Sequence, residues 1–150
     1  MRKDRLFQME KKNKLLIIDD DTTTLMELIG ILKQEYTIST AKSGMSALEN
    51  IGKTAPDLIL LDLIMPGMSG FDVMTKLNQS DSTMNIPVIL ISGAIDIDDE
   101  RKGLTLGAVD YIRKPFDEVI VKQRVDYHIN VLNLFREKDE LIRKLQNVHK

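Results

Sequence analysis

Six side chains of this sequence could do chemistry together, and they come from only three kinds of functional group. Asp19, Asp20 and Asp21 stand in a row after an apolar run in LLIIDDD, Asp62 closes LILLD, Ser92 follows VILI, and Lys114 follows DYIR. Adjacent carboxylates repel, so a cluster of them calls for a compensating ammonium or divalent cation. Carboxylates from two segments, a hydroxyl and an ammonium suit a cation and a phosphoryl group. Mg2+ takes few carboxylates, keeps some waters and completes its shell with phosphate oxygens, and Mn2+ could replace it. A carboxylate such as Asp62 can itself be a nucleophile and form an acyl phosphate. Phosphoryl transfer then needs in-line positioning and charge neutralisation more than covalent assistance.

Each residue also has a plainer reading. Asp21 and the threonines after it are good N-cap residues, and acids in a first helical turn are favoured by the helix dipole. Ser92 alone fits a turn, and Lys114 alone fits a solvated surface. Capping does not account for Asp62, because LIMPGMSG separates it from the next helical pattern. The four positions matter together, each at the end of a strand pattern.

The elements that would position them follow from the periodicity. LLII (15–18), LILL (58–61) and VILI (88–91) are apolar without alternation, as strands buried on both faces of a parallel sheet are. YTIST (36–40) and VDYIR (109–113) are more polar and fit edge strands. Leu25, Leu28, Ile29 and Leu32 form one helical face; Ala47, Leu48 and Ile51 mark a second helix, and Phe71, Met74 and Leu77 a third. Segment 97–106 is a poor helix containing Gly103, with Gly107 as its expected end. Strand alternating with helix predicts a five-stranded doubly wound α/β fold over residues 14–126, with the chemical side chains on one rim at the carboxyl ends of the strands.

Composition narrows the function classes. The chain has 150 residues, enough for about one domain, with 43% hydrophobic residues and a formal net charge of -2, which argues against non-specific nucleic-acid binding. No apolar run approaches the roughly 18 residues of a membrane span. Residues 1–13 read as a charged, solvated arm rather than a secretory signal. With no cysteine and only His128 and His149, a metal would be held by oxygen ligands. These features predict a cytoplasmic protein.

LLIIDDD, PDLILLDLIMPGMSGFDVM, IPVILISGA and GAVDYIRKPF occur in the order and at the separations of the receiver domain of two-component response regulators, which residues 14–126 resemble. The resemblance implies a flavodoxin-like sheet of order 2-1-3-4-5 and phosphorylation by a sensor histidine kinase or phosphotransfer protein. It implies Asp62 as phosphoacceptor. Asp20, Asp62 and the backbone carbonyl of Ile64 would hold Mg2+, with Asp19 acting through water. Ser92 and Lys114 would contact the phosphoryl group. Tyr111 would be the aromatic that turns inward as Ser92 is drawn to the phosphoryl group, and the helix at 97–106 would shift. The Lys114–Pro115 bond would be cis. The domain would catalyse its own phosphorylation and loss of phosphate without being an enzyme toward other substrates. Ile64 and Ala94 stand where residues of this family influence water attack, and neither can orient water, so slow dephosphorylation is expected.

DDDTTTL also approximates the D-x-D-x-T motif of haloacid-dehalogenase-like phosphohydrolases, with Asp19 as nucleophile and Asp21 as acid. Thr24 stands where that motif has an aliphatic residue, no later acidic pair follows Lys114, and LDLIMPGMSG is left unexplained. A receiver-like fold acting only as a dimerising adaptor is a further alternative, which the complete aspartate, serine and lysine set opposes. Beyond the domain, residues 127–150 extend the last helix. Val131, Leu134, Leu141, Leu145 and Val148 have 3-4 spacing, broken at Lys138, and predict a coiled-coil linker that makes a homodimer and leads to an output domain beyond Lys150. Packing back on the same domain is the alternative for that stripe.

Overall fold

The computed structural model describes residues 12–93 and 96–148, so the first eleven residues of the expected arm, Ala94 and His149 lie outside the described residues. The elements are β1 (Lys14–Ile18), α1 (Thr22–Leu32), β2 (Thr37–Ala41), α2 (Gly44–Glu49), α3 (Ile51–Thr54), β3 (Leu58–Asp62), α4 (Gly70–Asn78), β4 (Val88–Ser92), α5 (Ile97–Thr105), β5 (Asp110–Arg113) and α6 (Glu118–Val148). The five strands form one parallel sheet of order β2-β1-β3-β4-β5. The polar strands β2 and β5 are its edges, as expected from their composition.

Alternation along each strand divides the core between the two faces of the sheet. Leu15 and Ile17, Leu58 and Leu60, and Ile89 and Ile91 pack against Leu25 and Leu28 of α1 and Val121, Val125 and Ile129 of α6. Leu16, Ile18, Ile59, Leu61 and Leu90 face Ala47 of α2 and Val73, Met74 and Leu77 of α4. A fully buried aliphatic side chain is worth about 1.5–3 kcal/mol, so this two-sided burial supplies most of what fixes the register. That register pairs Ile18 with Leu61, Asp62 with Ile91 and Ser92 with Arg113, bringing the carboxyl ends of β1, β3, β4 and β5 to one rim.

The second helix differs from the single element expected. It breaks at Asn50 (φ -104°, ψ 4°), whose side-chain amide donates to the Ser46 carbonyl at 2.9 Å. An asparagine that bonds to its own turn competes with helix continuation. The poor helix at 97–106 forms as α5, capped by Asp96, whose carboxylate accepts the Asp99 amide at 2.8 Å. Its Gly103 has a packing reason: an added Cβ would lie 2.5 Å from Leu90 Cδ1, so the helix sits close on β4. Gly107 follows α5 at φ +100°, a left-handed value that favours glycine.

Helix α6 is 31 residues long. It stays on the domain past residue 126: Ile129 is buried, Asn133 exchanges side-chain hydrogen bonds with Asn13, and Arg136 bonds Asp57 at 2.8 Å. After Arg136 it leaves the sheet. Val131 is half-buried, and Leu134, Leu141, Leu145 and Val148 are exposed, so the stripe does not fold back on its own domain. No helix among the described residues is long and apolar enough to cross a membrane.

Candidate functional site: an acidic rim with one lysine

The three aspartates after β1 separate by role. Asp21 is the N-cap of α1: its carboxylate accepts the Thr23 amide at 2.9 Å and the Thr24 hydroxyl at 3.3 Å. The capping reading therefore accounts for Asp21, the proposed acid of the phosphohydrolase alternative. Asp19 is fully buried; one carboxylate oxygen accepts the Asp21 amide at 2.9 Å and the other accepts Lys114 Nζ at 3.0 Å. Asp20 is exposed at the rim.

Asp62 ends the central strand β3 and is 5% exposed. Its carboxylate lies 3.7 Å from Lys114 Nζ, so one ammonium lies between two buried carboxylates. Carboxylate oxygens of Asp19, Asp20 and Asp62 lie within 4.8 Å of one another, close enough for a shared cation. Ser92 is buried at the end of β4, and its carbonyl accepts the Lys114 amide at 3.0 Å, which fixes the lysine's backbone beside it. The Lys114–Pro115 bond is cis.

This rim carries more negative charge than its lysine neutralises. Burial pushes the Asp62 carboxyl up to about 6, the charge of Asp19 adds to this, and Lys114 and the Ile64 amide pull it partly back. For Lys114, burial acts downward, but the hydrogen bond to Asp19 and the charges of Asp62 and Asp19 outweigh it, and its net shift is upward. Three gathered carboxylates against one ammonium are the donor set of a hard divalent cation.

Tyr111 is half-buried in β5 and lines a small cavity with Leu63, Leu90, Leu104 and Ala108, at which Asp99, Glu100 and Asp110 also lie. The Ile64 side chain is exposed beside the rim.

The structure also adds residues that the sequence did not single out. Gly70, at the start of α4, donates its amide to the Leu63 carbonyl at 2.9 Å, and a Cβ there would lie 2.5 Å from the Asp62 carbonyl oxygen. The SG pair before the amphipathic pattern could have pointed to it. Ser69 and Asp72 close a capping box on the same turn, and the Ser69 amide and hydroxyl hold the Asp72 carboxyl below the usual range. Around β5, Asp110 takes His128 Nε2 at 3.0 Å and Arg124 at 3.6 Å, and Arg124 also donates to the Tyr111 carbonyl. Nothing in the local sequence announces that grouping.

A doubly wound sheet with an acidic rim, a strand-end hydroxyl and a cis-proline lysine defines a phosphoryl-signalling domain of the receiver class. The response regulator receiver domain family matches residues 15–126, and the chain belongs to that family. Among curated relatives, it is 38% identical over 142 residues to the "Probable cyclic di-GMP phosphodiesterase" of Vibrio cholerae, covering 92% of this chain and 32% of that protein. It is 41% identical over 113 residues to the response regulator PleD of Caulobacter vibrioides, covering 75% of this chain and 25% of PleD. The chain thus spans about a third or less of these relatives. Among solved structures, the signal receiver domain of a Luxo repressor protein from Vibrio parahaemolyticus superposes with TM-score 0.78 at 28% identity, covering 83% of this chain and 95% of that one. A response regulator from Chloroflexus aurantiacus gives TM-score 0.75 at 33% identity, covering 82% and 99%. Receiver domains are signalling domains that work with histidine kinases or phosphotransfer partners and bind a metal in their acidic pocket.

Proposed function

We propose that Asp62 accepts a phosphoryl group from a sensor histidine kinase or phosphotransfer protein and that the resulting change reaches an output through α6. The observation that carries this reading is the buried Asp62 carboxylate at the end of β3, 3.7 Å from Lys114 and sharing a cluster with Asp19 and Asp20. Asp20, Asp62 and the Ile64 carbonyl would hold Mg2+, with Asp19 acting through water. The ion would supply neutralisation of the phosphoryl oxygens. Asp19 holds Lys114 in place, and Lys114 meets the negative charge that gathers on the transferred group. Asp62 supplies the attacking oxygen, and burial keeps competing water from its carboxylate. Ser92 then hydrogen-bonds the aspartyl phosphate, Tyr111 turns into its cavity and α5 shifts, a local charge event biasing a two-state element.

In this reading residues 14–126 are the receiver, and residues 127–150 carry the signal as a dimerising helix toward an output domain. The name of the Vibrio relative makes cyclic-dinucleotide turnover one class of output to test. The chain works in the cytoplasm, where such kinases deliver phosphate. With isoleucine at 64, water near the acyl phosphate is not oriented, and self-dephosphorylation is slow.

The test is mass spectrometry after incubation with acetyl phosphate, with and without Mg2+, on wild type and Asp62→Asn. One Mg2+-dependent adduct is expected, lost in the variant and blocked by beryllofluoride. An adduct that survives Asp62→Asn overturns the assignment, and no adduct under any condition overturns the switch.

A further inference from the structure

Counted in sevens, the outer face of α6 carries a longer seam than the stripe after residue 130. Its d positions are Ile120, Tyr127, Leu134, Leu141 and Val148, between 42% and 77% exposed. Its a positions are Arg124, Val131, Lys138 and Leu145. Val121, Val125 and Ile129 occupy the opposite face and are buried on the sheet. The seam thus points away from the domain and runs about 42 Å, four heptads, from inside the receiver to Val148. A strict seven-residue repeat of this length matches a left-handed supercoil of two similar helices.

Two details favour a parallel second copy of this chain as the occupant. Val131, Leu134, Phe135 and Lys138 line an open apolar hollow. They are successive a, d, e and a residues, the four-residue hole that receives the d side chain of a parallel partner, here its Leu134. In the same arrangement, Lys138 enters a hole that includes Glu137 of the second copy, so the charge at that a position finds a complement across the seam. A basic residue at an a position helps to specify register.

Arg124 is the exception at the receiver end. Two copies would place two guanidinium groups in one layer, where they repel. The structure shows what withdraws them. Arg124 donates to the Tyr111 carbonyl and lies 3.6 Å from the Asp110 carboxylate, which His128 also binds at 3.0 Å from one turn further along. Strand β5 therefore holds the arginine off the seam through the residue next to Tyr111 and through Tyr111's own backbone.

We infer that α6 pairs in parallel with a second copy along a seam that begins at Ile120 inside the receiver, and that Asp110 permits the receiver end to close by withdrawing and neutralising Arg124. This rests on the proposed dimerising role of α6 and adds where the seam starts and what controls it. A displacement of β5 at residues 110–111 moves Arg124 and opens or closes the first two heptads.

Sedimentation velocity on the full 150-residue chain tests it, with Mg2+ and beryllofluoride present and absent. Tyr127→Lys, Ile120→Lys and Leu141→Lys are surface changes, each expected to weaken dimerisation at least tenfold. Arg124→Leu is expected to strengthen it at least tenfold. Asp110→Asn is expected to weaken it at least threefold, an effect that vanishes when combined with Arg124→Leu. If Leu141→Lys dissociates the dimer while Ile120→Lys and Tyr127→Lys do nothing, the seam starts beyond the receiver and the inference falls, with the linker reading intact. If Leu141→Lys also does nothing, or wild type is monomeric in both states, the linker reading falls with it. An Asp110→Asn effect that persists with Arg124→Leu overturns the role of the arginine.

Discussion

Asp62→Asn should make the metal-free protein more stable, although it removes the central functional group. Ionised Asp62 lies buried beside Asp19 and near Asp20, and Lys114 and the Ile64 amide offset only part of the accumulated charge. Raising its carboxyl from 3.8 to about 6 corresponds to roughly 3 kcal/mol of penalty for the charged form at neutral pH. The sign follows from proton binding. Between these two values the folded protein holds more protons on this group than the unfolded chain does, so stability falls as pH rises through the window and is level above it. Asparagine keeps the shape and removes the ionisation, and the attraction to Lys114 that it forgoes is already counted in the shift.

Without divalent cations at pH 8, the expected gain is therefore about 2–3 kcal/mol, or roughly 4–10 °C in melting midpoint for a domain of this size. At pH 4.5, where folded Asp62 is largely protonated, the gain should shrink to about 1 kcal/mol. Urea denaturation in EDTA at several pH values gives both numbers. Mg2+ should stabilise wild type more than the variant, because an ion that binds only the folded state adds its binding free energy to stability. A variant no more stable than wild type at pH 8, or one whose gain is unchanged at pH 4.5, would refute the account of a charge-strained rim.

Three further outcomes follow from the same geometry. Gly70→Ala forces a Cβ to within 2.5 Å of the Asp62 carbonyl oxygen, so it should cost about 1–3 kcal/mol in denaturation and slow acetyl phosphate labelling by displacing the strand of the proposed phosphoacceptor. Lys114→Ala removes the hydrogen bond to buried Asp19 and should cost about 1.5–3 kcal/mol at pH 7, most of it regained when Asp19→Asn is added in a double-mutant cycle. Mg2+ affinity, measured by calorimetry, should weaken progressively as pH falls below about 6, since the raised Asp62 carboxyl must then release a proton to bind; an affinity flat from pH 7 to 5 would place the ion on other ligands.

What was legible in the sequence was whatever depends on one segment and its period. LLII, LILL and VILI had to be buried strands because they are apolar on both faces, and the gathering of Asp19, Asp62, Ser92 and Lys114 on one rim follows from strands that all run the same way, while the order of the sheet is what the receiver resemblance implies. The capping role of Asp21 was legible too, as one of several cap-forming residues that precede the helical pattern. The break at Asn50 was not, because one side-chain hydrogen bond outweighed a continuous apolar pattern. The dependence of the Asp62 strand on Gly70 was at most hinted at by the SG pair, because a missing side chain does not name the backbone it must approach.

The outer face of α6 shows most clearly where local reading stops. In sequence its apolar stripe runs from Val131 to Val148, beyond the receiver, and Arg124 stands as a charge further up the same helix. Read locally, such a charge stays on its own helix face. Here it does not: Asp110 and the Tyr111 carbonyl, on an edge strand that crosses to α6, draw the guanidinium aside, while Ile120 and Tyr127 remain exposed in register with Leu134. Under the inferred pairing, a long-range contact to the strand that carries Tyr111 would decide whether the first two heptads are interface or surface. A charge tethered in this way is a weak signal in sequence and a strong one in structure, and its position ties the expected switch strand to the helix that would carry the signal onward.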